Sequence, residues 1–189
     1  MEMNAANQIL QLQREQNRHD AGYHPDILFL DTASRMKHMA LHHAKYTARF
    51  LGAEEDGDDV LFERTFTDAA IISVATANIF AQDLRHGFQG RAEKSSTLME
   101  LGQVVAHTPK TDLRFVRRYS EQAGAMAKAC ESFDHVEDFP FRKALLAANE
   151  NMFGLLVETA AVRKLDFAHL YMQRLKDIES NSPRSLLLE

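Results

Sequence analysis

Apolar residues recur at intervals of three and four along most of the chain, and they rarely alternate one-for-one with polar ones. That spacing predicts helices and gives no reason to expect a sheet. Residues 4–19 read as a mostly polar helix whose weak apolar side is Ile9, Leu10 and Leu12. The stretch YHPDILFLD follows as an extended or 3₁₀ connector, because Pro25 pushes His24 out of the helical region. Asp31 or Thr32 caps the next helix, which runs to Gly52, and AEEDGDD then reads as a solvated acidic loop. Residues 59–85 form a long helix ended by Gly87. Thr97 and Glu100 have capping-box spacing and open a short helix that stops before Pro109. Asp112 starts a further helix to about Ser132. Asp138, followed by Phe139-Pro140, starts one to about Lys164, and Asp166 opens the last. The predicted fold class is all-α, a helical bundle.

A repeat organises these helices. DAAIISVATANIFAQDL, from Asp68, lies over NMFGLLVETAAVRKLDF, from Asn151, at a constant offset of 83 residues that pairs Thr76 with Thr159 and Asp83 with Asp166. Upstream, Ala44, Ala48 and Arg49 fall on Ala123, Ala127 and Lys128 at an offset of 79. The expected arrangement is a single domain, 1–189, built from two similar helix hairpins (33–85 and 112–167) around a pseudo-twofold axis.

The segment RMKHMALHHAKYTARFLG, residues 35–52, holds three histidines and four further basic side chains but no acid. On a helix, Met36, Ala40, Ala44, Thr47 and Leu51 make a narrow packing face that Met39, His43, Tyr46 and Phe50 widen. His38, His42, Lys45 and Arg49 are left as a cationic stripe along one side. Imidazoles one turn apart can converge on a transition metal, but Lys45 would repel the ion, so a solvated or salt-bridged basic face is the plainer reading. In the next helix Asp68 stands on an apolar face with Ile71, Ile72 and Ala75, where a buried carboxylate needs a partner. Lys45, flanked by His42 and Arg49, is the expected one. Asn78 is a second polar residue in the same apolar run.

Composition narrows the classes. The net charge is −5, which argues against a nucleic-acid binder. No apolar stretch approaches the roughly 20 residues of a membrane span, and the start of the chain does not read as a secretory signal. A single cysteine, Cys130, excludes an internal disulfide and fits a reducing, cytoplasmic setting. Hydrophobic content of 45 % with mean hydropathy −0.34 suits a soluble globular protein.

At TFTDAAIISVATANIFAQDL the chain resembles the all-α nucleotide pyrophosphohydrolases of the MazG type, which carry E-x-x-E on one helix and E-x-x-D on the next. Asp68 matches the aspartate of the second motif, and Asn78 and Asp83 match later positions of that helix. Where E-x-x-E would stand, the chain has His42-His43-Ala44-Lys45. Thr65-Phe66-Thr67-Asp68 occupies the second motif, so one acid of four is kept. The resemblance implies a shared scaffold, a nucleotide or other phosphate-bearing small molecule as ligand and, if the protein is active, a Mg²⁺-dependent pyrophosphohydrolase. The ion would then rest on Asp68, Glu63 and the loop acids Asp58 and Asp59. A scaffold without the metal would use the stripe to bind phosphate directly. The alternative is a non-enzymatic interaction protein whose paired helices form a homodimer.

Overall fold

The computed structural model describes residues 4–106 and 114–182. The Asn4 side chain accepts from the Asn7 backbone N–H at 2.9 Å and caps α1, Ala5–Tyr23. Pro25 then opens a single helical turn, α2 (Pro25–Leu28), where an extended or 3₁₀ connector was expected. Asp31 caps α3, Thr32–Asp56, by accepting from the Ser34 N–H at 3.0 Å. This helix runs through Gly52 and absorbs most of the expected acidic loop. It stops at Gly57, whose φ of 65° is the left-handed conformation that ends helices readily in glycine.

The helix α4 (Asp59–Ile79) is shorter than its apolar pattern suggested, because Ala81 turns left-handed with φ 53°. Asp83 then caps a 3₁₀ turn, Leu84–Phe88. After the short α5 (Arg91–Lys94), the helix α6 (Leu98–Ala106) opens on the predicted capping box. There Thr97 Oγ1 accepts from the Glu100 N–H, and Glu100 accepts from the Ser96 N–H. The chain continues as α7 (Phe115–Asp134), α8 (Phe141–Arg163) and α9 (Phe167–Ser180). Asp112, expected to start α7, lies outside the described residues. Helix accounts for 84 % of the described residues and no strand occurs among them, as an all-α chain requires.

Four long helices close a ring in which α3 packs on α4 and α7, and α8 packs on α7 and α4. The pair α4 and α8 is antiparallel. Arg163 meets Asp59 at one end, Ser73 and Asn149 bond in the buried middle, and Arg142 reaches the Phe80 carbonyl at the other end. Phe50 binds the ring together from inside, with Phe62, Phe115 and Tyr119 ring centres 5.2, 4.8 and 5.0 Å away. Outside the ring, α1 and α9 cover α4, and α6 crosses α8 so closely that only glycine fits at 102. A Cβ there would stand 2.4 Å from the Val157 carbonyl oxygen.

Burial recurs along the chain. Phe62, Thr65, Phe66, Ala69, Ala70 and Val74 are buried in α4, and so are the residues 83 positions on, Leu145, Ala148, Asn149, Met152, Phe153 and Val157. Both helices end alike. Ala81 and Lys164 take φ 53° and 57°, and Gln82 and Leu165 bond back to Ala77 and Ala160 at 2.7 and 2.8 Å. Leu84, Phe88 and Ala92 match buried Phe167, Tyr171 and Leu175 at the same offset.

Between α3 and α7 the burial register is 80, not 79. Met36, Met39, His43, Tyr46 and Phe50 correspond to Val116, Tyr119, Ala123, Met126 and Cys130, all buried. Ala44 and Ala48, on which the offset of 79 rested, face solvent. The same observation corrects the packing face of α3. Met36 and Ala40 of that face are buried, but Ala44 and Leu51 are exposed, and the wider set Met39, His43, Tyr46 and Phe50 carries the rest of the core. Tyr119 hydrogen-bonds His43 at 2.7 Å and draws that side of the helix inward.

Candidate functional site

A cleft of about 230 Å³ opens between α1, α2, α3, α4 and α9. Its apolar wall comes from the inner face of α4, with Ile71, Ile72, Ala75 and Ile79, and from Ile178 of α9. Ile27 and Leu28 roof it from α2, the turn that Pro25 starts.

Three polar groups interrupt this wall. Asp68 and Arg174 form the first: Arg174 Nε donates to Asp68 Oδ1 at 2.7 Å, and both side chains are largely buried. The expected partner Lys45 is therefore replaced by an arginine from α9. The guanidinium reaches into the wall from a helix packed on α4, while Lys45 stays on the outer side of α3 against His42 and the Tyr46 ring.

The second group is His38, His42 and Tyr46. Lys45 Nζ lies 3.1 Å from His42 Nδ1, so that nitrogen accepts and His42 Nε2 carries the proton it shares with His38 Nε2, also at 3.1 Å. Burial, then Lys45 and His38, push the His42 pKa down to about 4, so the ring is neutral at neutral pH. Burial, then Arg49, lower Lys45. The stripe is thus half inside and half outside: His38 and His42 line the cleft, while Lys45 and Arg49 are exposed and outside its lining, with Lys45 over the ring of the lining residue Tyr46 and Arg49 near enough to act on it.

The third group sits on α1. Gln16 donates to Asp20 at 2.7 Å and accepts from the Tyr171 hydroxyl, while burial raises the Asp20 pKa. His19 is fully buried with Nδ1 3.0 Å from Glu179, and its Nε2 has no partner among the described residues.

The remaining expected site residues lie outside this cleft, and all but Glu63 make bonds that serve the fold. Asn78 is bonded to Gln13, donating to its carbonyl at 2.7 Å and accepting from its side chain at 3.1 Å, so it fastens α1 to α4. Asp83 caps the 3₁₀ turn and binds Arg85 with a shortest contact of 2.6 Å, away from the cleft. Glu63 is exposed in a separate shallow groove with Arg64 and Asp177. Asp58 caps α4 and Asp59 pairs with Arg163.

These placements do not fit a magnesium ion. The ion needs several hard oxygen ligands together, but Asp68 is committed to Arg174, and Asp20, the other carboxylate lining the cleft, is bonded to Gln16. Among the described residues no three His, Cys, Asp or Glu side chains converge as a metal site requires. No helix of the described residues is long and apolar enough to cross a membrane.

Sequence reasoning missed Arg174, Ile178, Gln16, His19 and Asp20. The α1 residues did leave a signal. Ile9, Leu12, Gln16 and His19 share the buried stripe of that helix, and a glutamine and histidine in a core register call for polar partners. Arg174 left none, because only the packing of α9 on α4 brings it to Asp68. Comparison of the chain with protein-family models, with curated proteins and with solved structures returns no match in any of the three.

Proposed function

We propose that the protein is a MazG-like helical scaffold whose hairpins are related by a pseudo-twofold axis, and that its first-hairpin cleft binds a nucleotide or similar phosphate-bearing molecule without magnesium. The recurring burial at 80 and 83 residues supports the arrangement. The observation that carries the binding reading is the cation pair beside the cleft. Lys45 and Arg49 stand close enough for Arg49 to lower Lys45, and neither makes an ion pair among the described residues. An anionic group there relieves their repulsion, while an apolar or planar body enters between the isoleucines. His38, neutral His42, Asp20 and Gln16 supply hydrogen bonds to orient that body.

Calorimetry with nucleoside triphosphates, each with magnesium and with chelator, tests this. Binding is expected to be equal in both conditions, and Lys45→Ala with Arg49→Ala should weaken it about tenfold or more. Binding that requires magnesium would restore a metal enzyme, and no binding at all would reject the ligand class. One further observation favours the interaction reading. Phe29 is 88 % exposed and Leu41 is 70 % exposed, apolar surface that a second copy of the chain would cover. A mass by light scattering that stays that of one chain across concentrations would reject homodimerisation.

A further inference from the structure

The second hairpin has a cleft of its own, about 280 Å³, between α7, α8 and the segment from the 3₁₀ turn to α6. Its wall is mostly polar: Arg91, Arg118, Gln122, Glu150 and Asn151, with Gly154. The recurrence at 83 residues makes it the counterpart of the first cleft. Arg91 falls on Arg174, Asn151 on Asp68 and Gly154 on Ile71.

Each difference leaves something open. In the first cleft Asp68 neutralises Arg174 at 2.7 Å. In the second, Asn151 brings no charge to Arg91, and its amide is turned to Gln122 at 3.3 Å. Arg118 is fully engaged by Glu158 through two 2.9 Å bonds. The half-buried Arg91 guanidinium has no hydrogen bond or ion pair among the described residues, and neither does the half-buried Glu150 carboxylate. The Glu150 side chain lies over Gly87, in space that a Cβ there would take. A separated cation and anion therefore face the same space without pairing to each other. Gly154 keeps that space clear. It lies inside α8, where glycine weakens a helix, and nothing within 4 Å of a Cβ there demands its absence.

We infer that this second cleft binds a small zwitterion of the α-amino-acid class, its carboxylate on Arg91 and its ammonium on Glu150. The site is independent of the nucleotide reading of the first cleft. A guanidinium takes a carboxylate through parallel N–H donors, and Glu150 accepts the ammonium protons.

Nuclear magnetic resonance titration of the whole protein with L-alanine, propionate and ethylammonium tests this, because the last two each carry one of alanine's charges. Alanine should shift the amide resonance of Leu155, which also lines the cleft, saturably, and each single-charge analogue should bind at least tenfold more weakly. Arg91→Gln should remove the response. Asn151→Asp should weaken it tenfold, by giving Arg91 the internal partner that Arg174 already has. Gly154→Leu should fill the cleft, abolish the response and leave a folded protein of equal or higher melting temperature. No saturable shift, a single-charge analogue as tight as alanine, or a response that survives Arg91→Gln in a folded variant overturns the inference.

Discussion

His43 is fully buried in α3, its Nδ1 2.7 Å from the Tyr119 hydroxyl, and burial pushes its pKa to about 3. An unfolded histidine titrates near 6.5. As the pH falls below that value, the unfolded chain takes up a proton that the folded state refuses until about 3. The stability due to neutral His43 is therefore complete above about pH 6.5 and declines with acidification, by at most about 1.4 kcal/mol per pH unit. His43→Gln should flatten the fall in unfolding free energy between about pH 6 and 4. Urea melts of both proteins across that range would show it, and parallel curves would contradict it. Asp68 gives the second residue-scale expectation. Asp68→Asn removes the charge facing Arg174 and should cost about 1.5–3 kcal/mol, since both side chains are largely out of solvent. A gain in stability would instead mean that Asp68 is strained by other acids. At this scale the sequence told that Asp68 needs a partner, because a carboxylate interrupts an apolar face. It did not tell which partner, because Arg174 lies 106 residues away on a helix whose docking no local pattern records.

Helix identity was legible wherever caps and apolar spacing agreed, as at Asp31, at Thr97 with Glu100 and at Asp166. Helix ends were less so. The run from Asp59 stays apolar past residue 79, yet α4 ends there because the backbone turns left-handed at Ala81, a residue with no turn signature. The polar stretch AEEDGDD looked like a loop, and yet helix continues to Asp56, since glutamates are good helix formers and Gly57 supplies the stop. Two glycines separate packing from propensity at this scale. Gly102→Ala drives a Cβ against Val157 backbone, so α6 must move off α8 at a cost of about 1–3 kcal/mol. Gly52→Ala, inside α3 with open space around it, should stabilise by about 0.5–1 kcal/mol. Thermal melts of the two variants should shift in opposite directions. If both rise, the α6–α8 crossing is looser than its geometry states.

The recurrence of burial at 83 residues was readable in sequence because Thr76 and Asp83 sit 83 residues before Thr159 and Asp166, around helix ends that turn alike. The clefts were not, because each needs elements from outside its hairpin: α1, α2 and α9 for the first, the 3₁₀ turn with α5 and α6 for the second. One buried cluster runs from Ala5 to Leu175, and the hairpins are joined through it by Ser73 with Asn149, by His43 with Tyr119 and by the rings around Phe50. Each link crosses from one hairpin to the other, so neither keeps its core once its partner opens. The molecule should then unfold as one unit. Met126 is fully buried in α7. Met126→Ala leaves a cavity there and should cost about 2–5 kcal/mol. Native-state hydrogen exchange reads where that loss is felt. The most protected amides of α4, in the other hairpin, should lose the same free energy of opening as those of α8. Unchanged protection in α4 beside weakened α8 would mean that the hairpins open separately and that the contacts between them are too weak to couple their cores.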